Sequence, residues 1–347
     1  MSQHSLVQQP NSDPSEDGSN CSQRDWITAL LVGIMCCAAT ALLAFFTSSQ
    51  YEKYIAGEDP SFFQRHSTPS TFLSAVICFL INWVAFIPSA IFKTERYYDL
   101  VGAATFLSVV AAAFGIIFSA NELVVSPWRV LPAVLVAIWA IRLGVFLGYR
   151  VHHNPRGDVR FDKMKQNPVR FFVPWTVQAL WAFVTSLSAV VQLGAPHAPS
   201  YILGDSTASS SYSVICDCSS ILGLILWAAG FTLEAVADAQ KMEFASYPQN
   251  RGRFISRGVW SWCRHPNYFG EIVLWLGMFL LGVRAYRGAQ WLAVLSPITV
   301  AVLLLFVSGV PILERNADRK WGHEEEYQSY KRTVHVMLPF VSQCSGS

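Results

Sequence analysis

Residues 257 to 277 read Arg257-Gly-Val-Trp260-Ser-Trp262-Cys-Arg264-His265-Pro266-Asn267-Tyr268-Phe269-Gly270-Glu271-Ile-Val-Leu-Trp-Leu-Gly277. Two tryptophans suited to a membrane interface precede a proline suited to the first turn of a helix, and an apolar run follows. Asn267 and Glu271 stand four residues apart, on one face of that helix. A carboxylate carried into an apolar segment usually serves a purpose. The stretch therefore predicts a membrane helix that opens on polar chemistry.

The rest of the chain fits that setting. Of 347 residues, 52% are hydrophobic and 14% are Asp, Glu, Lys or Arg, where soluble domains carry roughly 25% charged residues. Several runs reach the roughly 20 apolar residues that cross a hydrocarbon core, and no alternating ten-residue pattern suggests a barrel. The expected fold is all-α: a multi-pass transmembrane bundle of seven or eight helices. Spans are predicted near Trp26 to Phe46, Phe72 to Phe92, Leu100 to Ser119, Val130 to Gly148, Phe171 to Leu193, Cys216 to Val236, Phe269 to Val283 and Gln290 to Val310. The seventh is too short to cross alone unless the helix starts earlier or the bilayer thins, so seven crossings and a re-entrant helix is the other possibility.

Residues 1–23 are polar and read as a disordered tail, residues 24–94 hold the first helices, residues 95–340 form the main membrane domain, and 341–347 a short tail. With the N-terminus in the cytosol, 19 Lys and Arg fall on the cytosolic side, 5 outside and 1, Arg142, within a span. That asymmetry predicts both termini in the cytosol. The net charge of +2 comes without a continuous basic surface, which gives no reason to expect nucleic acid. The eight cysteines are scattered, with no pair of CxxC motifs and no Cys/His set at zinc-site spacing, so no metal is expected.

The polar residues near the cytosolic ends of spans include Arg142, Glu234, Asp238, Lys241, Arg253, Arg264, Asn267, Glu271, Glu314, Tyr327 and Lys331. Arginine forks suit phosphates, while an amide and a carboxylate suit the ribose or carboxamide parts of a nucleotide. Arg142 and Glu271 need partners, because a buried charge costs at least about 2.5 kcal/mol on insertion scales. Arg142 could snorkel to the interface, and Glu271 follows a helix start whose dipole favours an anion. No GxGxxG, Walker sequence, HExxH or GxSxG is present, so a nucleotide would bind without a Rossmann unit.

The segment from Gly230 to Leu281, with Phe231-Thr-Leu-Glu234, Asp238-Ala-Gln-Lys241, Arg253-Phe-Ile, Gly258-Val-Trp260 and Arg264-His-Pro-Asn-Tyr-Phe-Gly-Glu271, resembles the C-terminal domain of the steroid 5-alpha-reductase family. Its DUF1295 branch is the nearest in pattern. Tyr98-Asp99-Leu-Val-Gly102, Trp139-Ala-Ile-Arg142-Leu-Gly144, Gly157-Asp158-Val-Arg160-Phe161 and the late Glu326-Tyr327-Gln-Ser-Tyr330-Lys331 extend the likeness over roughly residues 95 to 340.

The resemblance implies an endoplasmic-reticulum membrane protein with NADPH held in a cytosol-facing cavity among the C-terminal helices. Its reaction would be reduction of a carbon–carbon double bond in a lipid, sterol-like, polyprenol or another enone. By matching positions, Asp238, Arg253, Arg264, Asn267, Tyr268, Glu271 and Tyr327 would contact the cofactor, and Tyr98 is the candidate proton donor. The N-terminal half lacks the family's pattern for a steroid 3-ketone, so steroid specificity does not carry over. A helix opening of the same type followed by a late Glu-Tyr occurs in isoprenylcysteine carboxyl methyltransferases, which use S-adenosylmethionine. That chemistry is the alternative, and a catalytically inactive lipid-binding membrane protein is the second.

Overall fold

A computed structural model describes residues 14–55, 69–119, 127–153, 161–194 and 210–341. The described residues are mostly helical, with no strand among them. The helices are α1 (Pro14–Ile55), α2 (Pro69–Ile91), α3 (Tyr98–Ser119), α4 (Pro127–His153), α5 (Pro168–Gly194), α6 (Ser210–Ser246), α7 (Pro266–Leu281), α8 (Leu295–Val302), α9 (Val310–Trp321) and α10 (Glu325–Thr333). Seven helical stretches are long and apolar enough to cross a membrane, and α7 is the short apolar helix beside them. The protein is a multi-pass integral membrane protein.

Three boundaries differ from expectation. Helix α1 begins at Pro14, inside the segment read as a disordered tail. Helix α6 continues past Val236 to Ser246, because its last turns still have something to pack on. Ala237 lies against Val259 and Trp260, and the Trp260 indole donates to the Ala237 carbonyl at 3.0 Å. The final predicted span is not one α-helix. It runs as a 3-10 segment (Gly288–Val294), α8, a π-helical turn (Leu303–Val307) and then α9. Ser308 and Gly309 both donate backbone N–H to the Leu303 carbonyl, and Pro311 restarts the helix where no N–H is required.

Helix α5 is the centre. In its apolar window 78% of residues are buried, against 22–39% in the other spanning helices. Phe171, Trp175, Phe183 and Leu187 are fully enclosed, and its two buried glutamines bond across to neighbouring helices. Gln178 donates to the Tyr98 carbonyl at 3.0 Å and Gln192 to the Met278 carbonyl at 3.0 Å. Lipid tails leave such groups without partners, so packing and satisfied polar contacts, not hydrophobic expulsion, hold the bundle together.

Helices α6 and α7 pack most closely of all. Two glycine pairs make this possible. A Cβ at Gly223 would lie 2.4 Å from the Leu281 nitrogen and one at Gly230 would lie 2.5 Å from the Gly270 carbonyl oxygen. Only backbones without side chains approach this far. At 16 residues α7 is about 24 Å long, short of a roughly 30 Å hydrocarbon core. It is carried by α6 and does not cross alone.

Candidate functional site

The α6–α7 contact sets the register of the polar residues. On α6, Phe231, Glu234 and Asp238 recur at helical spacing and share one face. On α7, Asn267 and Glu271 stand one turn apart on either side of Gly270, whose position is pressed against the Glu234 backbone. Helix α4 makes no broad backbone contact with either; its side chains bridge the space.

Arg142 of α4 donates one Nη to Asp238 Oδ2 at 2.8 Å and the other to Glu234 Oε1. Its guanidinium lies 5.9 Å from the centre of the Phe231 ring. Trp139, one turn deeper on α4, donates its indole N–H to Glu234 Oε2 at 3.1 Å. Asn267 donates from Nδ2 to Asp238 Oδ1 at 3.3 Å. Below them Trp139 packs edge to face on Phe106 and Trp275, with ring centres 5.0 and 5.2 Å away, while Phe106 and Trp275 lie tilted to each other at 6.0 Å, and the three close the apolar end.

Helix α4 runs to His153, so Arg142 is about three turns from its end, deeper than the predicted span implied. It turns toward two carboxylates rather than snorkelling to the interface. Glu271 is the sixth residue of α7, past the first turn where a helix dipole favours an anion. Its carboxyl has no hydrogen bond or ion pair among the described residues. Two further polar atoms in the cluster, Arg142 Nε and Asn267 Oδ1, are buried and unpartnered. A ligand carrying amide or hydroxyl groups would supply what these three groups lack.

The remaining residues expected to contact a cofactor lie elsewhere. Arg264 and Tyr327 belong to a second polar cluster, where α9 and α10 meet the start of α7. Glu314 of α9 accepts from Arg264 Nη2 at 3.1 Å and bonds His265 Nε2 at 2.7 Å. Lys331 pairs with Asp318 at 2.6 Å, and the Tyr327 hydroxyl donates to the same Asp318 oxygen at 3.2 Å. Burial pushes the Tyr327 phenol up, and the nearby Glu314 and Asp318 carboxylates push it further, so it stays a donor. Arg264 also donates to the Lys331 carbonyl at 3.0 Å, and its backbone N–H bonds the His335 carbonyl at 3.0 Å. These contacts fasten the C-terminal segment to the Arg-His-Pro turn.

Tyr268 stacks on His265 at 5.7 Å. Arg253 is 62% exposed, with Glu326 at 3.6 Å as its ion-pair partner. Tyr98 sits in an aromatic group with Phe161 and Trp175, ring centres 4.9 and 5.0 Å away, and its hydroxyl donates to the Pro174 carbonyl at 2.8 Å. Gly157, Asp158 and Arg160 lie outside the described residues. Thus Asp238, Asn267 and Glu271 come together, and Arg253, Arg264, Tyr268, Tyr327 and Tyr98 do not join them.

Sequence reading placed Glu234 and Glu314 among the polar residues at span ends without giving them a role, and did not single out Trp139 or His265. The signal for Trp139 and Glu234 was present: one arginine in an apolar run on α4, and two acids at i and i+4 on α6. Those are charges that must find one another within the bilayer. Among the described residues no group of three or more His, Cys, Asp or Glu could hold a metal ion.

No curated protein and no solved structure matches this chain. A family model described as a protein of unknown function, DUF1295, matches residues 85–334, well over half of the chain. The match starts within α2 and ends just past α10, so it takes in both polar clusters and the helices that carry them. The chain belongs to the DUF1295 family.

Proposed function

We propose that the protein is an oxidoreductase that uses NADPH to reduce a carbon–carbon double bond in a membrane lipid. The observation that carries this reading is the Arg142–Glu234–Asp238–Asn267–Glu271 cluster, built at high cost inside the helical bundle and left with unpartnered polar atoms. Asp238 and Asn267 would hold amide and hydroxyl groups of the cofactor, and the exposed Arg253 is available to its phosphates. Bound NADPH supplies the hydride. Trp139, Trp275 and Phe106 exclude water from the apolar end of the cluster. A lipid would enter from the bilayer, and the cofactor from the cytosol, in an endoplasmic-reticulum protein with both termini cytosolic.

Purified protein in detergent should bind NADPH with low-micromolar affinity or better, and Asn267→Ala should weaken binding by about tenfold, or about 1.4 kcal/mol. Deletion of the gene should raise an unsaturated lipid relative to its reduced form, read by mass spectrometry. One observation favours a second reading, as an S-adenosylmethionine-dependent methyltransferase. Three carboxyl groups gather around a single arginine, a surplus that suits a cationic sulfonium better than a polyphosphate. Saturable S-adenosylmethionine binding without NADPH binding would establish it in place of the reductase.

A further inference from the structure

The three carboxyl groups of the buried cluster are not equivalent. Arg142 from α4 divides its two terminal nitrogens between Glu234 and Asp238, both on α6. Asp238 also receives the Asn267 amide, and Glu234 the Trp139 indole. Lys241, the other α6 cation on this side, lies 4.9 Å from the centre of the Trp260 ring, beyond Asp238 and toward the loop. Apart from Arg142 Nε, which bonds nothing, the donors of the cluster are therefore spent on two of the three acids.

Glu271 on α7 has none. It is within electrostatic reach of Glu234, Asp238 and Arg142, so its surroundings hold two carboxylates and one cation already engaged with them. Gly230 and Gly270 hold α7 so close to α6 that the backbone of Glu271 stays beside these anions. A third unpaired negative charge there, in an apolar helix and past the reach of the helix dipole, is the least favourable of the available states. The residue is only half-buried, so the protein does not cover it completely.

We propose that Glu271 holds a proton in the resting protein and is the catalytic acid of the reduction. The protonation state stands on this geometry alone; the proton's destination rests on the reductase reading above. In the step, the carbon–carbon π bond breaks as hydride forms a C–H bond at one end. The released electron pair takes the Glu271 proton at the other end, the Glu271 O–H bond breaks, and a carboxylate remains. Water at the cytosolic mouth, past Asp238 and Lys241, returns the proton. Overall, one hydride and one proton add to the alkene, and the reduced nicotinamide is oxidised.

Dicyclohexylcarbodiimide, an apolar reagent that modifies protonated carboxyl groups, tests the resting state in native membranes at neutral pH. Peptide mass spectrometry should find the adduct on Glu271 at least tenfold above that on Glu234 or Asp238, and NADPH should lower it at least threefold. Infrared spectra of the wild type and Glu271→Gln serve as a second measurement, since the protonated-carboxyl stretch should be present in the first and missing in the second. Equal labelling of Glu234, or a wild type without that stretch, overturns the assignment. For the role as acid, Glu271→Gln should leave the unsaturated lipid uncleared when it replaces the wild type in deletion cells, while the purified variant still binds NADPH, weakened by no more than the tenfold expected of Asn267→Ala. Clearance by Glu271→Gln overturns the role. A protein that labels at Glu271 but never binds NADPH refutes the reductase reading and, with it, the proton's destination.

Discussion

Adding one methyl group at Gly270 should damage the site more than the fold. A Cβ there would lie 2.7 Å from the Gly230 carbonyl oxygen and 2.8 Å from the Glu234 nitrogen, both backbone atoms that no rotamer change can move. Ordinary contact begins near 3.4 Å, so α6 and α7 must part by about 0.7 Å at this point, an overpacking strain of roughly 1–3 kcal/mol. The Asn267–Asp238 hydrogen bond, already 3.3 Å long, bridges the same two helices one turn away. Stretched by a comparable amount it no longer counts as a bond. Gly223→Ala is the matched control. Its Cβ meets the Leu281 nitrogen at 2.4 Å, but Gly223 is two turns, about 10 Å, from Gly230 along α6. Both variants should unfold at lower temperature in detergent. Only Gly270→Ala should lose NADPH affinity, by about tenfold or roughly 1.4 kcal/mol. Wild-type affinity in Gly270→Ala, or an equal loss in Gly223→Ala, would refute the claim that this glycine contact sets the geometry of the cluster.

Replacing Arg142 with Met leaves two buried carboxylates without their cation, which should cost about 3–5 kcal/mol and strip folded protein from the membrane fraction. Adding Glu234→Gln and Asp238→Asn to that variant should restore the yield, as measured by size-exclusion chromatography. Tyr98→Phe removes one hydrogen bond to the Pro174 carbonyl and should cost about 1 kcal/mol of stability without changing NADPH affinity. Burial pushes the Cys263 thiol up from 9.0 to about 11. The folded protein should therefore leave Cys263 unalkylated by N-ethylmaleimide near neutral pH. Because the folded state keeps this proton longer than the unfolded one, stability should fall as pH rises from about 9 to about 11, read as a declining melting temperature.

Much of the architecture was legible because the membrane leaves so few options. Apolar runs of sufficient length must be helices, and the run after Pro266 was visibly too short to be an ordinary span. The breaks in the final span were harder to see. Leu303 to Val307 is apolar throughout, and nothing in its hydropathy distinguishes a π-helical turn from an α-helical one; only Gly309 and Pro311 hint at the restart. The end of α6 was missed for the opposite reason. Residues 237–246 look like a polar loop by composition, yet they remain helical because Ala237 and its neighbours have Val259 and Trp260 to lie on.

The site residues divide by the same logic. Asp238, Asn267 and Glu271 could be grouped because helical spacing fixes which face each occupies, and two helices in contact leave little freedom beyond that. Arg264, Tyr327 and Lys331 could not be placed this way. They lie around short helices and turns whose course depends on where Glu314 ends up, and an acid on α9 cannot be matched to a base before α7 by spacing alone. The result is two polar clusters where sequence suggested one pocket. The one at the Arg-His-Pro turn is dense with ion pairs to the C-terminal segment, so its charges neutralise each other. The one between α4, α6 and α7 is short of cations and leaves Glu271 without a partner. A folded protein keeps such an imbalance within a bilayer only where something other than stability requires it. That is the physical ground for placing the chemistry beside Glu271 and assigning the Arg-His-Pro turn the task of holding α7 in position.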